Sequence, residues 1–337
     1  MKKIILKEPA DGAVAPLLPA EIRDYLKKNK PLEDVGSFDW TCPGMDGTEH
    51  SRPLPVTLRF RAEGVSGPVR VFLSRDEHFA ASSVRETKCN YVRFTNLETG
   101  IKYYWKAEAD GVSSPVFSFT TEPAPFRLIH VDGVSNVRDP GGKRGIDGRM
   151  IRQGMVYRGS EPDTHQRITA AGRKTLTEEL GVRSQLDLRG EAAGRVHESA
   201  LGSNVNRVFL PCNAYGEFLL PEYGGTLRAI FSFFAKKDVY PVYLHCWGGA
   251  DRTGTVSFLL EALLGVSDDE LMQDYELTSF SVWGYRSRKN LQFQHFLYLL
   301  DEYEGTSYAE KAENCLLKAG VTEEEIAAIR ALLLEEN

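Results

Sequence analysis

The stretch Val242-Tyr243-Leu244-His245-Cys246-Trp247-Gly248-Gly249-Ala250-Asp251-Arg252-Thr253-Gly254 decides how this chain is read. An apolar run from Val242 to Leu244 ends at His245-Cys246. Two glycines and an Arg-Thr pair follow, and an apolar helical pattern begins at Val256. That order predicts a strand, a tight loop and a helix N-terminus. The backbone N–H groups of such a loop, with the positive end of the helix dipole, make an anion site. A thiolate at Cys246 is stabilised there. Arg252 adds a planar fork suited to phosphate oxygens. The local chemistry is a nucleophile in a phosphate cradle formed by Trp247, Gly248, Gly249, Ala250, Asp251 and Arg252.

Upstream of the cradle, short apolar segments alternate with helical ones. Leu128-Ile129-His130-Val131 opens the region, and Met155 to Ser160, Ser184 to Arg189 and Asn206 to Leu210 read as strands. A helix begins near Thr169, and another spans Gly224 to Ala235. Strands alternating with helices imply an α/β layer fold, with ligands at the carboxyl ends of the strands. The cradle lies at such an end. Downstream the chain is helical, with segments around Asp268–Leu277, Asn290–Tyr303, Tyr308–Lys318 and Glu323–Glu335. Gly320 suits a C-cap, and Thr322 with Glu325 has the capping-box spacing.

Before residue 122 the period changes to two. Val56, Leu58 and Phe60 alternate with Thr57, Arg59 and Arg61, as on a half-buried strand. Further strands are expected at Val69–Leu73, Tyr91–Phe94, 101–109 and Val116–Thr121, spaced as in an antiparallel sandwich. The expected domains are an N-terminal extension over 1–33 holding a short helix, an all-β sandwich over 34–122, a Pro-rich linker over 123–127, and an α/β domain over 128–337 with a helical C-terminal part.

Composition bounds the rest. The chain has 337 residues, enough for two cores, with 42% hydrophobic and 26% charged residues, as in soluble globular proteins. A net charge of −6 argues against a nucleic-acid or anionic-membrane binder. No apolar run approaches the roughly 20 residues that span a bilayer. The apolar run before Lys7 is too short for a signal peptide. Five cysteines (Cys42, Cys89, Cys212, Cys246, Cys315) at scattered spacing suggest neither a disulfide framework nor a zinc site. A reduced, cytoplasmic setting is expected, with no metal and no cofactor.

The spacing C-x5-R-[ST] after His, with its glycines in register, resembles the signature of the cysteine-dependent protein tyrosine phosphatases. Three earlier stretches narrow the resemblance: Asn136-Val137-Arg138-Asp139-Pro140-Gly141-Gly142, Val156-Tyr157-Arg158-Gly159-Ser160 and Leu186-Asp187-Leu188-Arg189. In that order, and with Asp274-Tyr275-Glu276-Leu277-Thr278-Ser279 downstream, they look like the bacterial and fungal tyrosine phosphatases of the secreted mycobacterial and Listeria tyrosine/lipid phosphatase type. The sandwich resembles a fibronectin type III domain. Leu97 to Tyr103 is similar to its tyrosine corner, in which Tyr103 would return its hydroxyl to the backbone.

That resemblance implies a mechanism. Cys246 attacks phosphorus and forms a phosphocysteine, Arg252 and the loop N–H groups hold the phosphoryl oxygens, and Thr253 stabilises the departing thiolate. The general acid is assigned to Asp251; Asp187 and Glu217 are the alternatives, with a structural role for Asp187 as the competing reading. His245 orients the loop. Asn136, Arg138, Asp139 and Arg158 line the pocket or brace the cradle. Trp247 stacks on a phenyl phosphate or packs on the following helix. Cys212 is a partner thiol or an inert core residue. Family members carry Lys where this chain has Ala250, which weakens a phosphoinositide reading. The leading substrate is phosphotyrosine in proteins, with dual specificity open. A phosphoinositide or inositol polyphosphate is the rival, and a phosphate-binding adaptor the reading from another class.

Overall fold

Alternation governs the N-terminal half as expected. In the strand Val56–Glu63, Val56, Leu58 and Phe60 are buried while Arg59 and Arg61 face water. This strand is the middle of an antiparallel sheet between Lys3–Glu8 and Tyr91–Phe94. A second sheet orders Ala13–Ala15, Phe117–Thr121, Lys102–Ala109, Val69–Ser74 and Ser83–Thr87. Its pairs are antiparallel except Ala13–Ala15 with Phe117–Thr121. Leu58, Val71, Trp105 and Phe119 lie at the centre of their common core. Each large apolar side chain withdrawn from water there contributes roughly 1.5–3 kcal/mol. At the corner before Lys102–Ala109, the Glu98 N–H donates to the Tyr103 hydroxyl at 3.1 Å.

This computed structural model describes residues 2–34, 47–190 and 198–336. The chain forms two compact units, one from Met1–Leu18 and Pro53–Arg127, the other from Pro19–Arg52 and Leu128–Asn337. The expected boundaries are therefore corrected. Residues 1–33 are no extension, because Lys3–Glu8 is a sandwich strand with Ile4 opposite Ala62 and Leu6 opposite Phe60. Three apolar residues are too few for a helical stripe but enough for one face of a strand. Residues 19–34 and 47–52 fold with the second unit; the stretch 35–46, also assigned to the sandwich, lies outside the described residues. The helix Ala20–Lys28 buries Ile22 and Tyr25, and the Tyr25 hydroxyl donates to Glu276 at 2.5 Å. The linker is packed as well. Ala124 and Phe126 are buried, and the Glu122 carboxylate accepts the N–H groups of Leu17 and Leu18 at 2.6 and 2.7 Å.

The second unit is built on a sheet ordered Arg127–Leu128, Arg138–Asp139, Val156–Gly159, Val242–His245, Ser184–Asp187 and Asn206–Phe209. The last four strands run parallel. Val242–His245 is central and buried at every position, as a parallel strand covered on both faces must be. The helix Arg252–Leu263 leaves its carboxyl end and is buried at every residue from Thr253 to Leu263. A helix without a polar face belongs inside. Around it pack the helices Asp268–Leu277, Leu291–Asp301 and Tyr308–Lys318, with Phe258 edge-on to Phe293, Phe296 and Tyr308 at 5.9, 5.2 and 5.5 Å. The final helix, Glu323–Leu333, carries the expected capping box of Thr322 and Glu325.

Candidate active site

The cradle follows the central strand directly. Cys246 is 2% exposed at the strand's carboxyl end, and Arg252 opens the buried helix. Between them the loop turns through Gly249 at φ +65°. A Cβ there would lie 2.3 Å from the Gly159 backbone, so no side chain fits.

Each successive carbonyl of the loop is held from outside. The Cys246 carbonyl faces His245 Nδ1 at 3.0 Å. The Trp247 carbonyl accepts from the Glu161 N–H at 2.8 Å. Asn136 Nδ2 donates to the Gly248 carbonyl at 2.9 Å, and Arg158 Nη2 to the Gly249 carbonyl at 2.8 Å. A planar trans peptide points its N–H opposite to its carbonyl. The N–H groups of Trp247, Gly248, Gly249 and Ala250 are therefore turned away from those anchors. Backbone N–H groups left without intraprotein partners at a helix N-terminus are suited to an anion. The Thr253 hydroxyl is buried nearby without a hydrogen-bond partner among the described residues.

The supports have their own supports. His245 is fully buried, and Gln185 Nε2 meets its Nε2 at 2.8 Å. A backbone carbonyl only accepts, so Nδ1 carries the proton and Nε2 accepts from the Gln185 amide. Burial lowers the His245 pKa, more than neighbouring Asp187 raises it, so the ring is a neutral orienting group.

Arg138 and Arg158 converge on Asp274: Arg138 Nε reaches its carboxylate at 2.8 Å, and Arg158 pairs with the other oxygen. Lys143, buried beside them, pairs with Glu261. Burial opposes ionisation of Asp274, but Arg138, Arg158 and Lys143 hold it far below the usual carboxylate range. Burial and the nearby Asp274 push Glu261 up. The cluster beneath the cradle thus has three basic groups against two carboxyls, a positive excess that favours an anion above it. Asp139 accepts the N–H groups of Gly141 and Gly154 and shapes the preceding turn.

The alternative acids separate clearly. Asp187 is buried and accepts from Arg189 Nε at 2.9 Å and Arg207 Nη2 at 2.7 Å. Burial raises its pKa, but the hydrogen bonds and charge of Arg189 outweigh this and bring it to about 2. It is an ion-pair anchor. Glu217 is exposed on the short helix Tyr215–Leu219. Asp251 lies at the cradle's edge, 39% exposed, with Arg286 Nε at 2.7 Å. Partial burial raises its pKa, yet Arg286, Tyr215 and Arg252 together hold it below the ordinary range.

Trp247 lies against His165 and Arg189. His165 meets it edge-on at 5.0 Å and the Arg189 guanidinium lies 5.2 Å over its ring. Ala250 is buried at 1% exposure. Cys212 shares the core with Cys246, and burial pushes its thiol far above its ordinary range, as suits the inert reading. Sequence reasoning missed Arg286, Tyr215, Trp283 and Lys143. Trp283 donates to Ser135 Oγ at 2.8 Å, and its ring occupies the space a Gly248 side chain would need, 2.7 Å from such a Cβ. Only their place just after Asp274–Ser279 could have pointed to Trp283 and Arg286.

Open α/β sheets place their ligands at the carboxyl ends of their strands, where this loop lies. The profile of the tyrosine phosphatase family matches residues 129–335, and the chain belongs to that family. A protein of Cupriavidus necator named "Putative tyrosine-protein phosphatase" is 29% identical over 168 residues, covering 43% of this chain. The match spans 60% of that relative's length.

Proposed function

We propose that this protein is a cysteine-dependent phosphatase acting on phosphotyrosine in proteins, through a phosphocysteine intermediate. The observation that carries the reading is the anchoring of the four carbonyls from Cys246 to Gly249, which turns the following N–H groups of the loop away from those anchors and leaves them for a phosphoryl group. In the first step Cys246 sulfur bonds to phosphorus as the ester P–O bond breaks. Arg252 and the loop N–H groups hold the equatorial oxygens. Thr253, whose hydroxyl has no partner among the described residues, donates a hydrogen bond to the thiolate when it is released. Asp251 protonates the departing oxygen and then takes a proton from the water that cleaves the S–P bond.

The half-exposed Trp247, wedged by His165 and Arg189, offers a wall for a phenyl ring. It favours phosphotyrosine over inositol phosphates, which have no flat apolar face. The order of motifs supports assignment to the mycobacterial and Listeria type. The two-sheet N-terminal unit and its Tyr103 corner support a fibronectin III-like module that positions the catalytic unit. Free thiols at Cys89, Cys212, Cys246 and Cys315 suit a reducing, cytoplasmic setting.

Cys246→Ser should abolish turnover of a phosphotyrosine peptide, and wild-type turnover should survive a chelator. Turnover persisting in Cys246→Ser would sink the mechanism. Equal kcat/KM on inositol hexakisphosphate would transfer the substrate to the inositol class.

A further inference from the structure

Asp251 sits in a clamp. Arg286 grips both carboxylate oxygens, Nε to Oδ1 at 2.7 Å and Nη2 to Oδ2 at 3.0 Å. The Tyr215 hydroxyl donates to the same Oδ1 and meets the Tyr275 hydroxyl at 2.9 Å. Tyr275 is fixed in turn by stacking on Phe293 at 4.0 Å. Arg252, on Asp251's own helix, is a further charged group facing the carboxylate.

Both jaws are held by backbone. Arg286 N–H donates to Ser279 Oγ, which donates back to the Arg286 carbonyl, each at 2.8 Å. The Tyr215 N–H donates to Thr255 Oγ1 at 2.8 Å, and that hydroxyl donates to the Asp251 carbonyl at 2.9 Å. Tyr215 itself has φ +58°, a left-handed backbone that an aromatic residue adopts only when its surroundings impose it. The fold spends strain to put that hydroxyl on Asp251.

We propose that Arg286, with Tyr215, is a positioning residue that clamps Asp251 as a carboxylate and thereby restricts the site to aryl phosphate esters. The inference rests on the assignment of Asp251 as the proton donor. When Cys246 sulfur bonds to phosphorus, the electron pair of the breaking P–O bond leaves on the ester oxygen. A phenolate carries that charge readily, since the parent phenol has a pKa near 10, and it takes its proton from Asp251 or from water. The oxygen of a serine or inositol ester is far more basic and must receive the Asp251 proton as the bond breaks. A carboxyl held by a bidentate guanidinium carries its proton in only a small fraction of molecules at neutral pH, so an ester that requires that proton turns over slowly. In the second step the same clamp is an asset, because an aimed carboxylate accepts the proton of the attacking water.

The test compares kcat/KM across pH, in the full chain, for phosphotyrosine and phosphoserine peptides. Arg286→Met should raise the phosphoserine-to-phosphotyrosine ratio by about tenfold or more and move the alkaline limb to higher pH. Arg286→Lys, which keeps the charge but not the fork, should fall between. Tyr215→Phe should move both readouts in the same direction, and it serves if the first variant fails to fold. Folded variants with unmoved ratio and limb overturn the clamp, provided Asp251→Asn abolishes the limb. If Asp251→Asn leaves the wild-type profile intact, the assignment of Asp251 falls and takes the clamp with it.

Discussion

At Asp187 the charges can be followed one by one. The carboxylate takes Arg189 Nε at 2.9 Å, Arg189 Nη2 at 2.7 Å and Arg207 Nη2 at 2.7 Å, and it lies opposite His245 in register. Its pKa falls from 3.8 to about 2, because the hydrogen bonds and charge of Arg189 outweigh burial. A carboxyl depressed in the folded state binds its proton more tightly when unfolded. Its contribution, about 2 kcal/mol, is therefore complete above about pH 4 and lost as pH falls toward 2. Asp187→Asn should cost about 3–5 kcal/mol at neutral pH, since Arg189 and Arg207 lose their buried counter-charge. In urea titrations the gap to wild type should narrow between pH 4 and pH 2; a gap constant over that window refutes the ion-pair reading. The residues of the cradle were legible because they are consecutive. Arg286 and Tyr215 were not, because they meet Asp251 across 35 and 36 residues, and no local period encodes a contact that distant.

The cradle loop works as an element because strand and helix fix its two ends. Gly249 tests this. An alanine there must hold φ +65°, costing roughly 1–2 kcal/mol, and its Cβ would lie 2.3 Å from the Gly159 carbonyl. The loop can yield only by moving the Gly249 carbonyl off Arg158 and the N–H groups out of place. Gly249→Ala should weaken inorganic phosphate binding by about tenfold or more while the circular dichroism spectrum of the sheet and helices persists. Undiminished phosphate binding would mean that the loop N–H groups are not the anion site. Elements with strong local signals were legible: the alternating strand at Val56, the buried strand before Cys246, the capping box at Thr322. The strands Lys3–Glu8 and Ser83–Thr87 were not. The first has three consecutive apolar residues, Ile4 to Leu6, and the second a single one, Val84, so neither sequence alternates apolar with polar residues.

The whole molecule is divided less simply than its linear sequence suggests. The two classes of fold were legible from a change of period near residue 122, but the path of the chain between them was not. A helix such as Ala20–Lys28 shows that Ile22 and Tyr25 need an apolar partner without saying which one. The partner is the helix that carries Asp274: Tyr25 lies 5.7 Å from Phe280 and donates to Glu276, and Gln273 Nε2 donates to the Leu26 carbonyl at 3.1 Å. Glu49 accepts the N–H groups of Asn136 and Val282, at 3.3 and 3.2 Å. These lie on either side of the cradle, since Asn136 braces Gly248 and Val282 precedes Trp283. A chain of residues 128–337, which the sequence alone would choose as the catalytic domain, therefore exposes the apolar surface that Ile22, Tyr25 and Leu32 cover. At roughly 1.5–3 kcal/mol for each large side chain, that loss is comparable to the whole stability of a domain. The truncated chain should melt well below the full protein and lose phosphatase activity. Joining residues 19–52 to its N-terminus through a flexible linker should restore both. If residues 128–337 alone match the full chain in melting temperature and kcat/KM, the N-terminal segment is a passenger rather than part of the catalytic unit.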